Sequence, residues 1–160
     1  MSELETYRRR TRDAAKSLNA LPLLGPGQPG PPDEKTGERW DRANVLGHVA
    51  EMLPFWTSQM RGIIGGGTEV GRGEAGQLRR RAGIDSGGVA SEEDLRSSVA
   101  AGVEGLLLLL DEMREEDLDR HAHYRSQSGE SDVELRQLLD TLLVGHLEEH
   151  VQQLESLRGG

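Results

Sequence analysis

The segment LRQLLDTLLVGHLEEHVQQLESL, residues 135–157, places its leucines three or four residues apart, which is the spacing of one helix face. His146 and His150 continue this apolar stripe, four and eight residues after Leu142. Side chains four residues apart on a helix have Cβ atoms about 5–6 Å apart, so two imidazoles at this spacing can reach one metal ion. The segment therefore predicts an amphipathic helix with two candidate metal ligands on its buried side.

Three more segments have a helical period, two of them with clear start signals, and no segment has the alternation of a strand. Asp41 is a good N-cap residue, and so is Ser91. Ser131, with Glu134 three positions later, matches a capping box and opens the last helix. The predicted helices span residues 4–21, 41–64, 91–114 and 131–157. The sequence therefore predicts an all-α fold, a four-helix bundle in which residues 1–160 form a single domain.

The stretch between the second and third helices, residues 68–90, is rich in glycine and arginine. We expect it to be a long, mobile, glycine-rich crossover with at most a short helix near Glu74–Arg81. A long crossover is expected where neighbouring helices do not simply reverse direction.

Composition limits the partners that the chain is expected to have. It carries a net charge of −9 and no cysteine, which excludes disulfides and thiolate ligands. Its basic residues form short clusters such as Arg79–Arg81 rather than a broad basic face, so we expect no nucleic-acid partner. The apolar run Leu106–Leu110 is too short to cross a bilayer, and the first residues are polar and charged. We therefore expect a cytoplasmic protein with no membrane partner.

A third histidine, His48, lies on the apolar side of the second predicted helix. Met52 and Phe55 follow it at helical spacing, so the ring is expected to point towards the centre of the bundle. A single histidine on an apolar face is usually a core residue. Three such histidines favour a metal site over core packing, because a shared cation satisfies polar nitrogens that would otherwise be desolvated. Three histidines from two helices resemble an open metal site that keeps a position for water or substrate.

Two other metal sites are disfavoured by missing ligands. The segment from His146 to His150 fits the H-x-x-E-H pattern of inverted zinc proteases, but those enzymes need a further ligand well downstream. A ferritin-like di-iron centre needs glutamate three residues before a ligand histidine. The residues three before His48, His146 and His150 are Val45, Leu143 and Leu147.

Two segments carry a resemblance to a known family. WDRANVLGHVAE, residues 40–51, resembles the second helix of the DinB/YfiT-like superfamily, in which a tryptophan precedes the helix that carries the first metal-binding histidine. LLVGHLEEHVQQL, residues 142–154, is similar to the last helix of that family, with its H-x-x-x-H ligand pair. The resemblance implies a four-helix bundle with non-standard connectivity. It also implies a divalent metal bound by His48, His146 and His150, and a homodimer.

The superfamily includes mycothiol-dependent maleylpyruvate isomerase and bacterial thiol S-transferases, in which the metal activates a small thiol. The resemblance thus implies a transferase that uses mycothiol, bacillithiol or glutathione and a small-molecule substrate. Zinc or nickel is favoured, with iron and manganese as further candidates. Glu51, three residues after His48, is a candidate general base or hydrogen-bond partner of a ligand. His121 and His123 are expected in a loop that could reach the substrate. Two alternatives are a non-enzymatic, stress-related metal-binding dimer and a metal-assisted hydrolase.

Overall fold

The computed structural model of the protein describes residues 1–157, and over that range the chain is mostly helical. The helices and strands follow one another as α1 Glu3–Ala20, α2 Arg42–Ile64, β1 Glu69–Gly71, α3 Gly73–Ser86, α4 Glu92–Glu112, β2 His121–Ser126, β3 Gly129–Glu134, α5 Leu135–Leu138 and α6 Gly145–Ser156. A 3₁₀ turn, Glu115–Asp119, precedes β2, and a π-helical segment, Leu139–Val144, joins α5 to α6 without a break. Within residues 1–157, no helix is both long and apolar enough to cross a membrane.

Helix starts predicted from N-cap residues agree with the structure at two positions. Asp41 caps α2 by accepting the backbone N–H of Asn44, and the Asn44 side chain accepts the Asp41 N–H in return. Ser91 caps α4 by accepting the N–H of Asp94. Both helices therefore begin within one residue of their predicted starts.

The chain is mostly helical, as predicted, but not all-α, because β1, β2 and β3 form a small sheet in that order. The β1–β2 pair is parallel and the β2–β3 pair is antiparallel. The strands are short and mostly exposed, with Val70 and Ala122 as their buried residues. A sheet that buries so few side chains leaves almost no apolar alternation in the sequence.

Two further predictions from the sequence, one for the crossover and one for the start of the last helix, are also wrong. The glycine-rich crossover contains β1 and the fourteen-residue helix α3. The last helix does not open at Ser131, which lies in β3. It begins at Leu135, where Glu134 is the N-cap residue and the Gln137 side chain accepts the Glu134 N–H. Strand pairing with β2 holds residues 129–134 extended, and this overrides the capping-box pattern.

The hydrophobic core lies between α1, α2, α4 and the helical segment from α5 to α6, whereas α3 packs against α2 and none of its residues belongs to that core cluster. Glycines allow the closest helix contacts: a Cβ on Gly47 would lie 2.2 Å from the backbone oxygen of Gly83, and a Cβ on Gly87 would lie 2.5 Å from the backbone of Ala43. Gly83 on α3 and its C-cap residue Gly87 thus face Gly47 and Ala43 on α2 at the same spacing of four residues. This contact holds α3 against the segment of α2 that precedes His48.

The proline-rich loop before α2 is held by a buried arginine. The Arg42 guanidinium donates hydrogen bonds to the carbonyl oxygens of Leu24, Gly25 and Leu157. The loop ends at Trp40, directly before the N-cap residue of α2.

Candidate metal centre

Two elements bring the three predicted histidines together. His48 comes from the first half of α2, and His146 and His150 come from consecutive turns of α6. The π-helical segment ends directly before α6, where the N–H of Gly145 bonds to the carbonyl oxygen of Asp140, five residues back. An extra residue in one turn rotates the following helix by about 100° relative to an uninterrupted α-helix. The π turn therefore sets which side chains of α6 face α2.

The three imidazoles meet through their Nε2 atoms. The Nε2 of His146 lies 3.2 Å from the Nε2 of His48 and 3.0 Å from the Nε2 of His150. One ligand atom from each ring lies within 4.8 Å of the other two. His48 and His150 are buried, whereas the His146 side chain is 29% exposed, so the cluster reaches solvent on the His146 side.

The cluster fits a divalent ion. Nitrogen ligands at 2.0–2.1 Å from a tetrahedral ion lie about 3.3 Å apart, close to the two spacings here. The set consists of three neutral donors that suit zinc, nickel, copper and iron. Without a cation the same geometry packs three polar nitrogens together out of water, which costs free energy unless each one is satisfied. The Nδ1 atom of His48 is itself buried with no hydrogen-bond partner.

Burial keeps the three imidazole rings in their neutral form, which is the form that binds metal. Desolvation lowers the pKa of His146 to about 3, helped by His150 and by the cations Arg72 and Arg80. The pKa of His48 is lowered by the same desolvation and by the two other histidines, and burial also lowers the pKa of His150. At neutral pH the metal would therefore not compete with protons for these nitrogens.

The remaining ring nitrogens have different surroundings. The Nδ1 of His150 lies 2.8 Å from the Oε1 of Gln153. The Nδ1 of His146 lies 3.8 Å from a carboxylate oxygen of Glu149, which is too far for a hydrogen bond. The sequence reasoning did not single out Gln153. Its position three residues after His150 on the same helix was the available signal.

Trp40 covers one side of the cluster. Its ring stacks on His150 with centroids 5.9 Å apart and contacts His48 with centroids 5.0 Å apart. The Trp40 Nε1 donates to a carboxylate oxygen of Glu38, and Glu38 also pairs with Arg80 and Arg81 on α3. The loop before α2 is thereby tied to α3 directly beside the histidines.

Glu51, the predicted general base, forms a buried ion pair. Both of its carboxylate oxygens accept from Arg72, at 2.7 and 3.1 Å. The Arg72 guanidinium also donates to the carbonyl oxygen of Gly76 and lies over the ring of Phe55. A general base must reach the proton that it removes, and here both oxygens are engaged by an arginine. The catalytic role of Glu51 stays a prediction.

His121 and His123 lie outside the cluster, on β2 rather than in a loop. Each pairs with a carboxylate across the sheet: His121 with Asp132 at 3.0 Å and His123 with Glu130 at 3.2 Å. In the part of the chain that the structure describes, the side chains grouped closely enough to hold a metal ion are His48, His146 and His150.

Comparison with known proteins gives one family and one solved structure. The sequence model described as DinB superfamily matches residues 3–154. A crystal structure of the colibactin self-resistance protein ClbS in complex with double-stranded DNA has a similar fold, with a TM-score of 0.68 and 13% sequence identity over 99% of this chain and 95% of that one. No curated protein matches the sequence significantly.

The solved structure overturns one prediction made from composition. We expected no nucleic-acid partner because the chain is acidic, yet a protein with the same fold is seen on double-stranded DNA. Excluding nucleic acid was therefore wrong. Net charge sums over the whole surface, whereas DNA meets only one face.

Proposed function

The chain belongs to the DinB superfamily, and from that premise we propose that it is a divalent-metal-binding protein whose ligands are His48, His146 and His150. One observation carries the proposal: three imidazole Nε2 atoms from two helices meet with spacings of 3.0 and 3.2 Å. Zinc and nickel are favoured because both bind imidazole well and accept tetrahedral or more open geometries.

We further propose that the centre serves a thiol transferase. A bound divalent ion supplies positive charge that lowers the pKa of a thiol and stabilises the thiolate. Positive charge near the cluster favours the same anion, because Arg72 and Arg80 both lower the pKa of His146. Each of these arginines is paired with a carboxylate, Glu51 or Glu38, and Glu149 lies 3.8 Å from the His146 Nδ1. Trp40 shields one side of the cluster from water, which leaves the exposed side of His146 as the approach for a small molecule.

The metal proposal is tested with protein purified without an affinity tag. We expect one equivalent of zinc or nickel for each chain and loss of that metal in His146→Ala. His123→Ala is the matched control, since His123 is exposed on β2 and pairs with Glu130. Equal metal content in both variants, or none in the wild type after zinc is added, would refute the ligand assignment.

The reaction needs a separate test. We expect the zinc-loaded protein to transfer mycothiol, bacillithiol or glutathione to an electrophile such as a chlorobimane, with His146→Ala inactive and His123→Ala active. A metal-loaded wild type that turns over none of the three thiols would favour the non-enzymatic metal-binding protein. Thiol-independent cleavage of an activated ester would favour the hydrolase.

A second candidate function is binding of double-stranded DNA, which the crystal structure of ClbS reports for that protein. A groove of about 830 Å³ favours it here, because it is lined by four arginines: Arg72, Arg80, Arg81 and Arg125. Arg72 pairs with Glu51, and Arg125 pairs with Glu69 and Glu130. Arg80 and Arg81 share one carboxylate, Glu38, so one positive charge of that pair is not matched by it. DNA affinity that falls steeply with salt in the wild type and weakens in Arg81→Ala would support this function. Salt-independent or absent binding would exclude it.

A further inference from the structure

We propose that Gln153 is a positioning residue that holds the His150 ring with its Nε2 lone pair facing His48 and His146. This inference rests on the proposed metal site and adds a residue to it. It concerns the second nitrogen of one ligand, on the side of the ring away from the cluster.

The hydrogen bond between the two side chains determines the tautomer. A neutral imidazole has one N–H donor and one acceptor nitrogen. The Gln153 Oε1, 2.8 Å from the His150 Nδ1, is an oxygen and can only accept. The proton of His150 therefore sits on Nδ1, and Nε2 carries the lone pair that a metal needs.

Over residues 1–157, the Nδ1 atoms of the other two histidines have no comparable hydrogen bond. Glu149 stands 3.8 Å from the Nδ1 of His146 and is largely exposed. The buried Nδ1 of His48 has no partner. His150 is thus the ring whose tautomer is fixed by a direct hydrogen bond.

Packing restricts the same ring from a second direction. Trp40 stacks on His150 at an interplanar angle of 23°, so the ring cannot tilt towards the indole. The hydrogen bond to Gln153 restrains rotation within the ring plane, which stacking does not. Both contacts together preorganise His150, and preorganised ligands lose less entropy when the ion binds.

The test measures zinc affinity of the full chain by competition with a chromophoric chelator. We expect Gln153→Ala to bind zinc roughly ten- to a hundredfold more weakly than the wild type, which is the usual effect of removing a hydrogen-bond partner of a metal ligand. Gln153→Glu still accepts from Nδ1 and should bind at least as tightly as the wild type. Gln152→Ala, an exposed neighbour on the same helix, is the matched control and should be unchanged.

A second readout does not involve the metal. Long-range ¹H–¹⁵N spectra of the metal-free protein should show His150 protonated at Nδ1 in the wild type and in Gln153→Glu, and a mixture of tautomers in Gln153→Ala. Far-ultraviolet circular dichroism at the same temperature identifies a variant that has lost its fold. If Gln153→Ala is such a variant, the tautomer of His150 and the zinc affinity are compared between Gln153→Glu and the wild type.

The outcomes separate this inference from the proposed metal site. Zinc binding by the wild type, with equal affinities in Gln153→Ala and Gln152→Ala, would overturn the role of Gln153 and leave the site intact. Protonation of His150 at Nε2 in the wild type would overturn the role of Gln153 as well. No zinc binding by the wild type, with His150 still protonated at Nδ1, would refute the metal site instead.

Discussion

Replacing Gly47 by alanine should disturb both the fold and the candidate metal centre. Gly47 directly precedes His48 on α2, and its missing side chain faces the backbone of α3. An added Cβ would lie 2.2 Å from the Gly83 carbonyl oxygen and 2.9 Å from the Ser86 Oγ. Ordinary contact needs about 3.5 Å, so α2 and α3 must separate by at least about 1 Å.

The expected loss follows from two opposing terms. Overfilling a packed interface costs about 1–3 kcal/mol, and a backbone carbonyl that cannot rotate away puts Gly47→Ala in the upper half of that range. Alanine returns about 1 kcal/mol of helix propensity. The net loss of about 1–2 kcal/mol should lower Tm by roughly 2–8 °C in a chain of this size. His48 moves with the α2 backbone, so zinc should bind more weakly in the variant.

Gly105→Ala is the matched control, because Gly105 lies inside α4 and an added Cβ would meet nothing within 4 Å. Thermal unfolding followed by circular dichroism should show Gly105→Ala at or up to about 4 °C above the wild type. A Tm for Gly47→Ala equal to that of Gly105→Ala would refute the close helix contact. A lower Tm with unchanged zinc affinity would refute the link between that contact and His48.

Three further predictions concern the metal, alkaline pH and the loop before α2. Zinc at a hundredfold excess over its Kd should raise the free energy of unfolding by about 2.7 kcal/mol, or Tm by roughly 5–11 °C. His146→Ala should lose this gain, and an equal rise in the variant would contradict the assignment of His146 as a ligand. Burial raises the pKa of Tyr7 to about 12, above its unfolded value near 10, so its stabilising contribution is complete below pH 10 and is lost as the pH rises towards 12. Tyr7→Phe should therefore lose less stability than the wild type in urea unfolding between pH 9 and 11, and parallel losses would contradict this. Arg42→Met leaves the carbonyl oxygens of Leu24 and Gly25 without their donors, which should lower the free energy of unfolding by about 3 kcal/mol. The variant should also be cleaved faster by a protease within residues 21–41, and unchanged cleavage would contradict the anchoring role of Arg42.

The helices were predictable where local chemistry alone decides them. Asp41 and Ser91 satisfy backbone N–H groups of the following turn, and such contacts can be read from four consecutive residues. Ser131 carries an equally good local signal but lies in β3. Its conformation depends on pairing with Tyr124, seven residues earlier, and no window of four residues contains that information.

The sheet and α3 were missed for a related reason. β1 has three residues, and its partner β2 lies fifty residues later, so the pairing is non-local. The glycines of α3 indicate a loop when propensity is considered alone. In the structure Gly83 is helical and Gly87 caps the helix, and α2 packs closely against both, a tertiary contact that outweighs their poor helix propensity.

The candidate site was predictable as a set of residues and not as an arrangement. The spacing of His146 and His150 defines one helix face, and the apolar stripe around His48 predicts burial. What joins the two helices at the correct rotation is the π turn, which depends on Gly145: a Cβ there would lie 2.2 Å from the Asp140 carbonyl oxygen. A single glycine in a leucine-rich helix does not reveal such a turn from sequence.

Charge is segregated on this protein, and that explains why net charge misled the prediction of partners. A groove of about 590 Å³ between α1 and α6 is mainly acidic: it is lined by Arg10 and by Asp13, Asp140, Glu148, Glu149 and Glu155. A different groove is lined by Arg72, Arg80, Arg81 and Arg125, together with Glu74. An anionic ligand of either proposed function, a thiolate or a DNA phosphate, would be repelled by the first groove. In the second groove it would meet arginines that already pair with carboxylates, and Arg80 and Arg81 share a single one, Glu38. Arg80 of the arginine groove lies over Trp40, which covers His48 and His150, whereas Glu149 of the acidic groove lies 3.8 Å from the Nδ1 of His146. Each groove therefore borders a different side of the candidate metal centre.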